Sequence, residues 1–314
     1  MGYEPSPATD RSRVAIGADL GGTKMLVGVV AAPDSAPMEG DEVAPSGPEV
    51  LHLTEEASFG RSQDDVLDTM EAELRRALEA HPEARAAGLG IPCTIDHERG
   101  LAIAAVNLPI VDVPVRDIMS ERLGIPVVVD NDANAAALAE HRWGAARGAR
   151  NAVLLTIGTG IGGGLIIDGK VYRGSSGAGA ELGHMVIDHD GPPCQGSCPN
   201  RGCAEAVASG TALGREAQAA AERHPDSALG RLLEAGEEVT GRAATVAAIA
   251  GDEVARDVIE VIGRHSVTIV DGSEIFSDIF QVKAYGEITV SNARLHLLTP
   301  GRRFDMKTRA LIAG

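Results

Sequence analysis

Residues 14–31 read VAIGADLGGTKMLVGVVA, two apolar β-rich runs joined by a Gly-Gly bend. The pattern is that of a hairpin with an unusually glycine-rich turn. It returns at residues 151–172, NAVLLTIGTGIGGGLIIDGKVY, again strand, glycine bend, strand. Two such hairpins in one chain predict an internal duplication: two related α/β domains, each offering one glycine-rich turn to a shared cleft. Such turns suit phosphate, because several backbone N–H groups can point into one concavity and glycine keeps side chains out of the way. The candidate phosphate residues are Asp19, Gly21, Gly22, Thr23 and Lys24 in the first turn, and Thr156, Gly158, Thr159 and Gly160 in the second. Asp19 adds a carboxylate able to hold Mg²⁺ through water. Neither turn is a P-loop or a Rossmann fingerprint, since the GxxxxGK[ST] spacing is missing and each turn leads into a strand rather than a helix.

The intervening sequence predicts the elements that carry these turns. Residues 1–13 are polar, contain two prolines and read as a flexible tail; 32–48 hold four prolines and read as a loop. Val66, Met70, Leu74 and Leu78 recur at steps of four, which predicts an amphipathic helix over 64–81. GLGIPCTID (88–96) predicts a short buried strand and a turn, and PVVVDND (126–132) a second apolar strand. An Ala-rich helix follows over 133–142, with Gly144 placed to cap it. Helices are expected over 204–223 and 251–264, and short β-runs from Ser266 onward.

Composition narrows the function. The formal net charge of −17 opposes binding to nucleic acid or an anionic membrane, which need a positive field. ATP stays compatible, because one local ring of amides and a metal ion can bind phosphate inside an acidic protein. No run approaches the roughly 18 apolar residues that span a bilayer, and the N-terminal residues lack the apolar run of a signal peptide; a cytoplasmic location is expected. Aromatic residues are only 3%, so the core must be built from Ala, Val, Leu and Ile.

Two clusters carry the chemistry. Asp130-Asn131-Asp132-Ala133-Asn134 sits where an apolar strand gives way to a helix, and strand carboxyl ends are where open α/β sheets place ligands. A phosphoryl-transfer enzyme needs a carboxylate there to take the acceptor proton. Helix capping uses one such residue, so four in five positions call for more than a cap. Further on, His184, Cys194, Cys198 and Cys203 supply one nitrogen and three sulfurs within 20 residues, the composition of a closed structural zinc site. Cys93 is isolated and reads as a small buried residue.

From about Val14 to His265 these residues resemble the ROK family of sugar kinases and repressors, most of all its bacterial glucokinases. DLGGTK (19–24) and TIGTGIGGG (156–164) are similar to the family's two phosphate motifs, NDAN (131–134) to its catalytic motif, ELGH (181–184) to its sugar-binding motif, and GCAE (202–205) to the end of its zinc motif. The resemblance implies a two-lobed actin-like ATPase fold of the hexokinase and ribonuclease H type, with a duplicated βββαβα core. Its lobes would be residues 14–112 and 113–265, the second carrying the zinc loop. The implied reaction is ATP-dependent phosphorylation of a hexose, most plausibly glucose, with Mg²⁺ as cofactor and a structural Zn²⁺. Asp132 would be the general base. Asn107, Asn131, Glu181, His184 and Glu205 would hold the sugar, His184 also joining Cys194, Cys198 and Cys203 on the metal. A homodimer or homotetramer is implied.

Alternatives remain open at this stage. The sugar could be N-acetylmannosamine, mannose or fructose, the donor could be polyphosphate, or the chain could bind sugar without turnover. Repressors of the family carry an N-terminal helix-turn-helix and a basic face, for which 13 polar residues and a charge of −17 leave no provision. Three departures from the family pattern stand out. Three residues rather than one separate Cys194 from Cys198, Cys93 replaces a glycine after Pro92, and the Gly-Gly-Gly turn that receives adenosine is not found in 266–314, an atypical end expected to belong to the second lobe.

Overall fold

The computed structural model describes residues 13–21, 24–32, 48–56, 62–105, 108–144, 146–271, 281–282, 295–299 and 302–306. Residues 1–12 of the expected tail, most of the 32–48 loop, Gly22, Thr23, Asn107 and most of 272–314 lie outside the described residues.

The glycine-linked runs form the expected hairpin. Strands β1 (Val14–Leu20) and β2 (Met25–Ala31) pair antiparallel from Val14↔Ala31 to Leu20↔Met25. Burial alternates along both, so Val14, Ile16, Ala18 and Leu20 enter the core with Met25, Val27, Val29 and Ala31, as the period of two requires. Strand β3 (Glu49–Glu56) pairs antiparallel with β2. Helix α1 (Gln63–Ala80) then returns the chain, opened by a capping box in which Ser62 and Asp65 satisfy each other's backbone N–H. Its buried face holds Val66, Met70 and Leu74, with Leu78 packed at the margin; each fully buried side chain of this size contributes about 1.5–3 kcal/mol.

The segment 88–96 makes two strands rather than one. Pro92 separates β4 (Ala87–Ile91) from β5 (Cys93–Asp96), and β5 leaves to join a small meander with β6 (Leu101–Ala105) and β7 (Val111–Val113). Helix α2 (Val115–Leu123) leads to β8 (Val127–Asn131), and α3 (Asp132–Trp143) follows at once, its last turn capped by the Gly144 N–H on Glu140 O. The first sheet runs β3-β2-β1-β4-β8, with β1, β4 and β8 parallel. That is one βββαβα core with the meander inserted.

The second sheet repeats the order. Strands β9 (Ala152–Ile157), β10 (Ile161–Ile167) and β11 (Lys170–Val171) lie with β12 (Gln281–Val282) as β11-β10-β9-β12, so β12 stands beside β9 as β4 stands beside β1. Between β11 and β12 come α4 (Ala204–Ala208), α5 (Gly210–Arg223), α6 (Ala228–Glu234), α7 (Gly241–Ile249) and α8 (Glu253–Asp271). A last hairpin pairs β13 (Leu295–Thr299) with β14 (Arg302–Met306).

Two expectations change here. The helix over 204–223 is broken at Ser209, whose backbone is extended and whose hydroxyl accepts from Ala212 N–H at 3.2 Å; serine competes for backbone bonds in this way and so starts helices rather than continuing them. From Ser266 the chain does not turn to β at once, because α8 continues to Asp271. The core matches the composition: no aromatic side chain is among the buried hydrophobic residues described.

Two compact units result: Met1–Leu154 with Gly164–Ala180, and Leu155–Gly163 with Glu181–Gly314. The boundary expected at 112/113 falls inside the first unit, within β7.

Candidate active site

In the first unit three neighbouring parallel strands end together. The register pairs Asp19 with Gly90 and Gly90 with Asp130, so two carboxylates flank a glycine across the sheet. Burial raises the Asp19 carboxyl above its usual range, partly offset by the Lys24 ammonium; a bound cation would reverse that direction. The turn after β1 closes through Gly21 N–H on Lys24 O at 2.7 Å, and Lys24 also meets Glu55 at 3.2 Å.

The four polar residues at the end of β8 have separate tasks. Asn131 is the helix cap, its Oδ1 accepting from Asn134 N–H at 3.1 Å while its Nδ2 donates to Cys93 O at 3.3 Å. Asp130 pairs with Arg173: the guanidinium Nε lies 3.2 and 3.0 Å from its two oxygens and Nη2 adds a third contact. Asn134 is 3% exposed, and its Oδ1 accepts no hydrogen bond from a described residue. Asp132 opens α3, and its Cα lies only 3.3 Å from where a Cβ on Gly90 would sit. Glycine at position 90 thus admits the backbone of Asp132 close against β4.

In the second unit the glycine turn after β9 is held by the start of α5. Gly210 N–H donates to Gly158 O at 2.8 Å, and Thr211 donates to Thr159 O through its N–H at 3.2 Å and its hydroxyl at 2.9 Å. The turn therefore rests against a helix N-terminus, where the macrodipole favours anions. Glu205 lies on the same turn: its Oε2 accepts from Ile161 N–H at 2.8 Å and occupies the space a Cβ on Gly160 would need. Burial raises the Glu181 carboxyl, with His184 opposing and Glu205 reinforcing the rise, so these three expected sugar ligands share one neighbourhood.

Gly160→Ala should therefore displace the Glu205 carboxylate and break its bond to Ile161. A charge-assisted bond of this kind contributes about 1.5–3 kcal/mol, so kcat/KM for the sugar should fall roughly tenfold to a hundredfold in steady-state kinetics. A Cβ on Gly158 meets nothing within 4 Å, and Gly158→Ala should keep the parent's melting temperature. Equal kinetics for Gly160→Ala and the parent would remove this role for Glu205.

The cysteine loop gathers the four expected ligands. A ring nitrogen of His184 and the sulfurs of Cys194, Cys198 and Cys203 all lie within 4.8 Å of one another, with Cys194 Sγ 3.4 Å from His184 Nδ1 and Cys198 Sγ 4.0 Å from Cys203 Sγ. A tetrahedral zinc with Zn–S bonds of about 2.3 Å needs sulfur separations close to these. Burial and the neighbouring thiols push Cys194 up to about 12. Backbone bonds shape the loop: Cys194 N–H to Asn200 O at 2.9 Å, Cys198 N–H to Gln195 O at 3.3 Å, and Gly202 N–H to Pro192 O at 2.7 Å. These donors fit Zn²⁺, and four protein ligands leave no open position, which suits a structural ion.

Reading the sequence alone misses Arg173, Thr211 and Gln195, whose Nε2 donates to the Ser209 hydroxyl at 3.1 Å and ties the cysteine loop to the cap of α5. The one signal for Arg173 was a carboxylate at the end of a buried strand, which needs a cation from somewhere.

Known proteins resemble this chain in sequence and fold. The glucokinase of Thermotoga maritima is 36% identical over 254 residues, 79% of this chain and 75% of its own. The crystal structure of a ROK family glucokinase from Streptomyces griseus with glucose and AMPPNP matches with a TM-score of 0.70 at 34% identity, covering 85% of this chain and 80% of that one. The ROK hexokinase of Thermus thermophilus matches with a TM-score of 0.62 at 32% identity, covering 84% and 78%. The fold is the actin-like ATPase fold, and the chain is a sugar kinase. It belongs to the ROK family, whose model matches residues 15–288, past the His265 at which the motif resemblance ends.

Among the described residues no helix is long and apolar enough to cross a membrane.

Proposed function

We propose that the chain transfers the terminal phosphoryl group of ATP to the 6-hydroxyl of glucose, with Asp132 as general base. The observation that carries this is the register Asp19–Gly90–Asp130, which sets Asp132 at the joint carboxyl edge of parallel strands where α3 begins. The complex of the Streptomyces griseus relative with glucose and AMPPNP supports the choice of both substrates.

In this reading Asp132 orients the hydroxyl and takes its proton as the oxygen attacks in line, since such reactions depend on positioning and charge stabilisation. Asn107, Asn131, Glu181, His184 and Glu205 hold the other hydroxyls. Gly21, Gly22, Thr23, Lys24, Thr156, Gly158, Thr159 and Gly160 surround the phosphates. Mg²⁺, held through water by Asp19, would neutralise charge on the transferring group. The backbone amides near the N-terminus of α5 add fixed positive dipoles beside the second turn. Zn²⁺ on His184, Cys194, Cys198 and Cys203 would fix the imidazole, because metal binding at Nδ1 leaves Nε2 for a sugar hydroxyl.

A coupled assay with Mg²⁺ tests the assignment, pairing glucose, mannose, fructose and N-acetylmannosamine with ATP or polyphosphate. The highest kcat/KM is expected for glucose with ATP. A higher value for another pair would reassign the substrate, and no turnover with any pair would overturn the activity.

A further inference from the structure

Arg173 lies in no motif that the kinase reading uses, yet it pairs with Asp130, the residue just before the catalytic motif. Its side chain is 24% exposed and that of Asp130 is 13% exposed, with three guanidinium–carboxylate contacts between them. The pair does not stop at Asp130. Asp130 Oδ1 also accepts from the N–H of Asn131 at 3.0 Å. Asn131 in turn caps α3 and donates to Cys93 O. One chain of charge-assisted and capping bonds thus runs from Arg173 through Asp130 and Asn131 to the first turn of the helix that Asp132 opens.

The backbone around Arg173 is itself anchored. Gly174 takes φ +70° and Gly177 φ +83°, and a Cβ on Gly177 would overlap Ile95 O on β5. The guanidinium is therefore presented from a segment packed against β5, whose Cys93 O accepts from Asn131. Among the described residues a second nitrogen base near Asp130 is His97, whose Nδ1 lies 4.0 Å from Oδ2 and 3.2 Å from Val129 O. It is charged only when protonated, so Arg173 is the permanent counter-ion.

A partly buried ion pair is poor evidence for stability, because desolvation offsets much of the attraction. What a forked guanidinium does supply is fixed geometry. We propose that Arg173 is a positioning residue for Asp132: it locks the Asp130 carboxylate, which holds the peptide that sets where α3, and Asp132 with it, begins. The proposal rests on Asp132 being the base. A displacement of about 1 Å at a reacting group can lower the rate about a hundredfold, and the fork's loss should act on that scale.

Arg173→Met, Arg173→Lys, Asp130→Asn with Arg173→Met, and Asp132→Asn are compared in the full-length protein for kcat, KM and melting temperature. Arg173→Met should lower kcat roughly thirtyfold to a hundredfold with the sugar KM within about threefold. Arg173→Lys, keeping the charge without the fork, should recover part of kcat. The double variant, with no buried unpaired charge, should regain the parent's melting temperature while kcat stays at least about tenfold down. Parent kcat in Arg173→Met beside an inactive Asp132→Asn overturns this inference alone. So does a double variant that regains both melting temperature and kcat, which would make the role merely structural. A raised sugar KM with unchanged kcat would place Arg173 in substrate binding and overturn it too. Parent turnover in Asp132→Asn removes the base assignment and this proposal together.

Discussion

Asp132→Asn should lower kcat by about 10²- to 10⁴-fold while the sugar KM stays within about threefold, because a general base acts mainly in the transition state. Asparagine keeps the size and one acceptor oxygen of aspartate but cannot take a proton at neutral pH. The change is mild for the fold. Asn131, not Asp132, caps α3 through its bond to Asn134 N–H. The charge of Asp132 at a helix N-terminus is worth about 0.3–1 kcal/mol. A large loss of kcat with a small loss of melting temperature would therefore report chemistry. The neighbouring carboxylates are weaker candidates for physical reasons: Asp130 is committed to the Arg173 guanidinium, and Asp19 lies in the phosphate turn beside Lys24, where a metal ion would claim it. Steady-state kinetics with calorimetric glucose binding decides the matter. Parent-like kcat in Asp132→Asn would dismiss Asp132 as the base.

What could be read in advance follows from the range of the interactions. The two glycine hairpins were legible because strand alternation and glycine bends are local, and the second sheet's β11-β10-β9-β12 order bears out the duplication. The Cys-His cluster was legible because three of its four residues fall within ten positions, and the backbone bonds of 192–202 help gather them. Helix ends were less legible. Ser209 starts α5 where composition alone continues α4, and α8 keeps its helical hydrogen bonds through the β-branched run after Ser266. Pairings far apart in sequence could not be read at all. Arg173 and Asp130 are 43 residues apart, and nothing local distinguishes that arginine among 28 basic residues. Glu205 was read as a sugar ligand, but its bond to Ile161 across 44 residues also makes it a support of the glycine turn.

Cys203→Ser should abolish zinc binding, lower the melting temperature and raise the sugar KM roughly tenfold to a hundredfold, the usual scale when a group that orients a ligand is lost. The parent should hold about one zinc per chain by metal analysis. Cys203 is fully buried and occupies the cap position of α4, with its Sγ 3.4 Å from His184 O. Serine there is close in size, can still donate to that carbonyl, and is a preferred helix cap. The variant therefore removes a soft thiolate ligand without removing a structural one, so any loss of sugar affinity runs through the metal and His184. Cys93→Ala serves as the control, since Cys93 lies in β5 outside the ligand set and should leave zinc content unchanged. The three-residue spacer between Cys194 and Cys198 does not oppose the site, because the Cys198 N–H bond to Gln195 O folds the extra length into a turn and all four donor atoms still meet within 4.8 Å. Full activity in a parent preparation without zinc would sink the metal assignment. A Cys203→Ser enzyme that loses zinc yet keeps the parent's sugar KM would separate the metal from the sugar site and leave His184 with only one of its two roles.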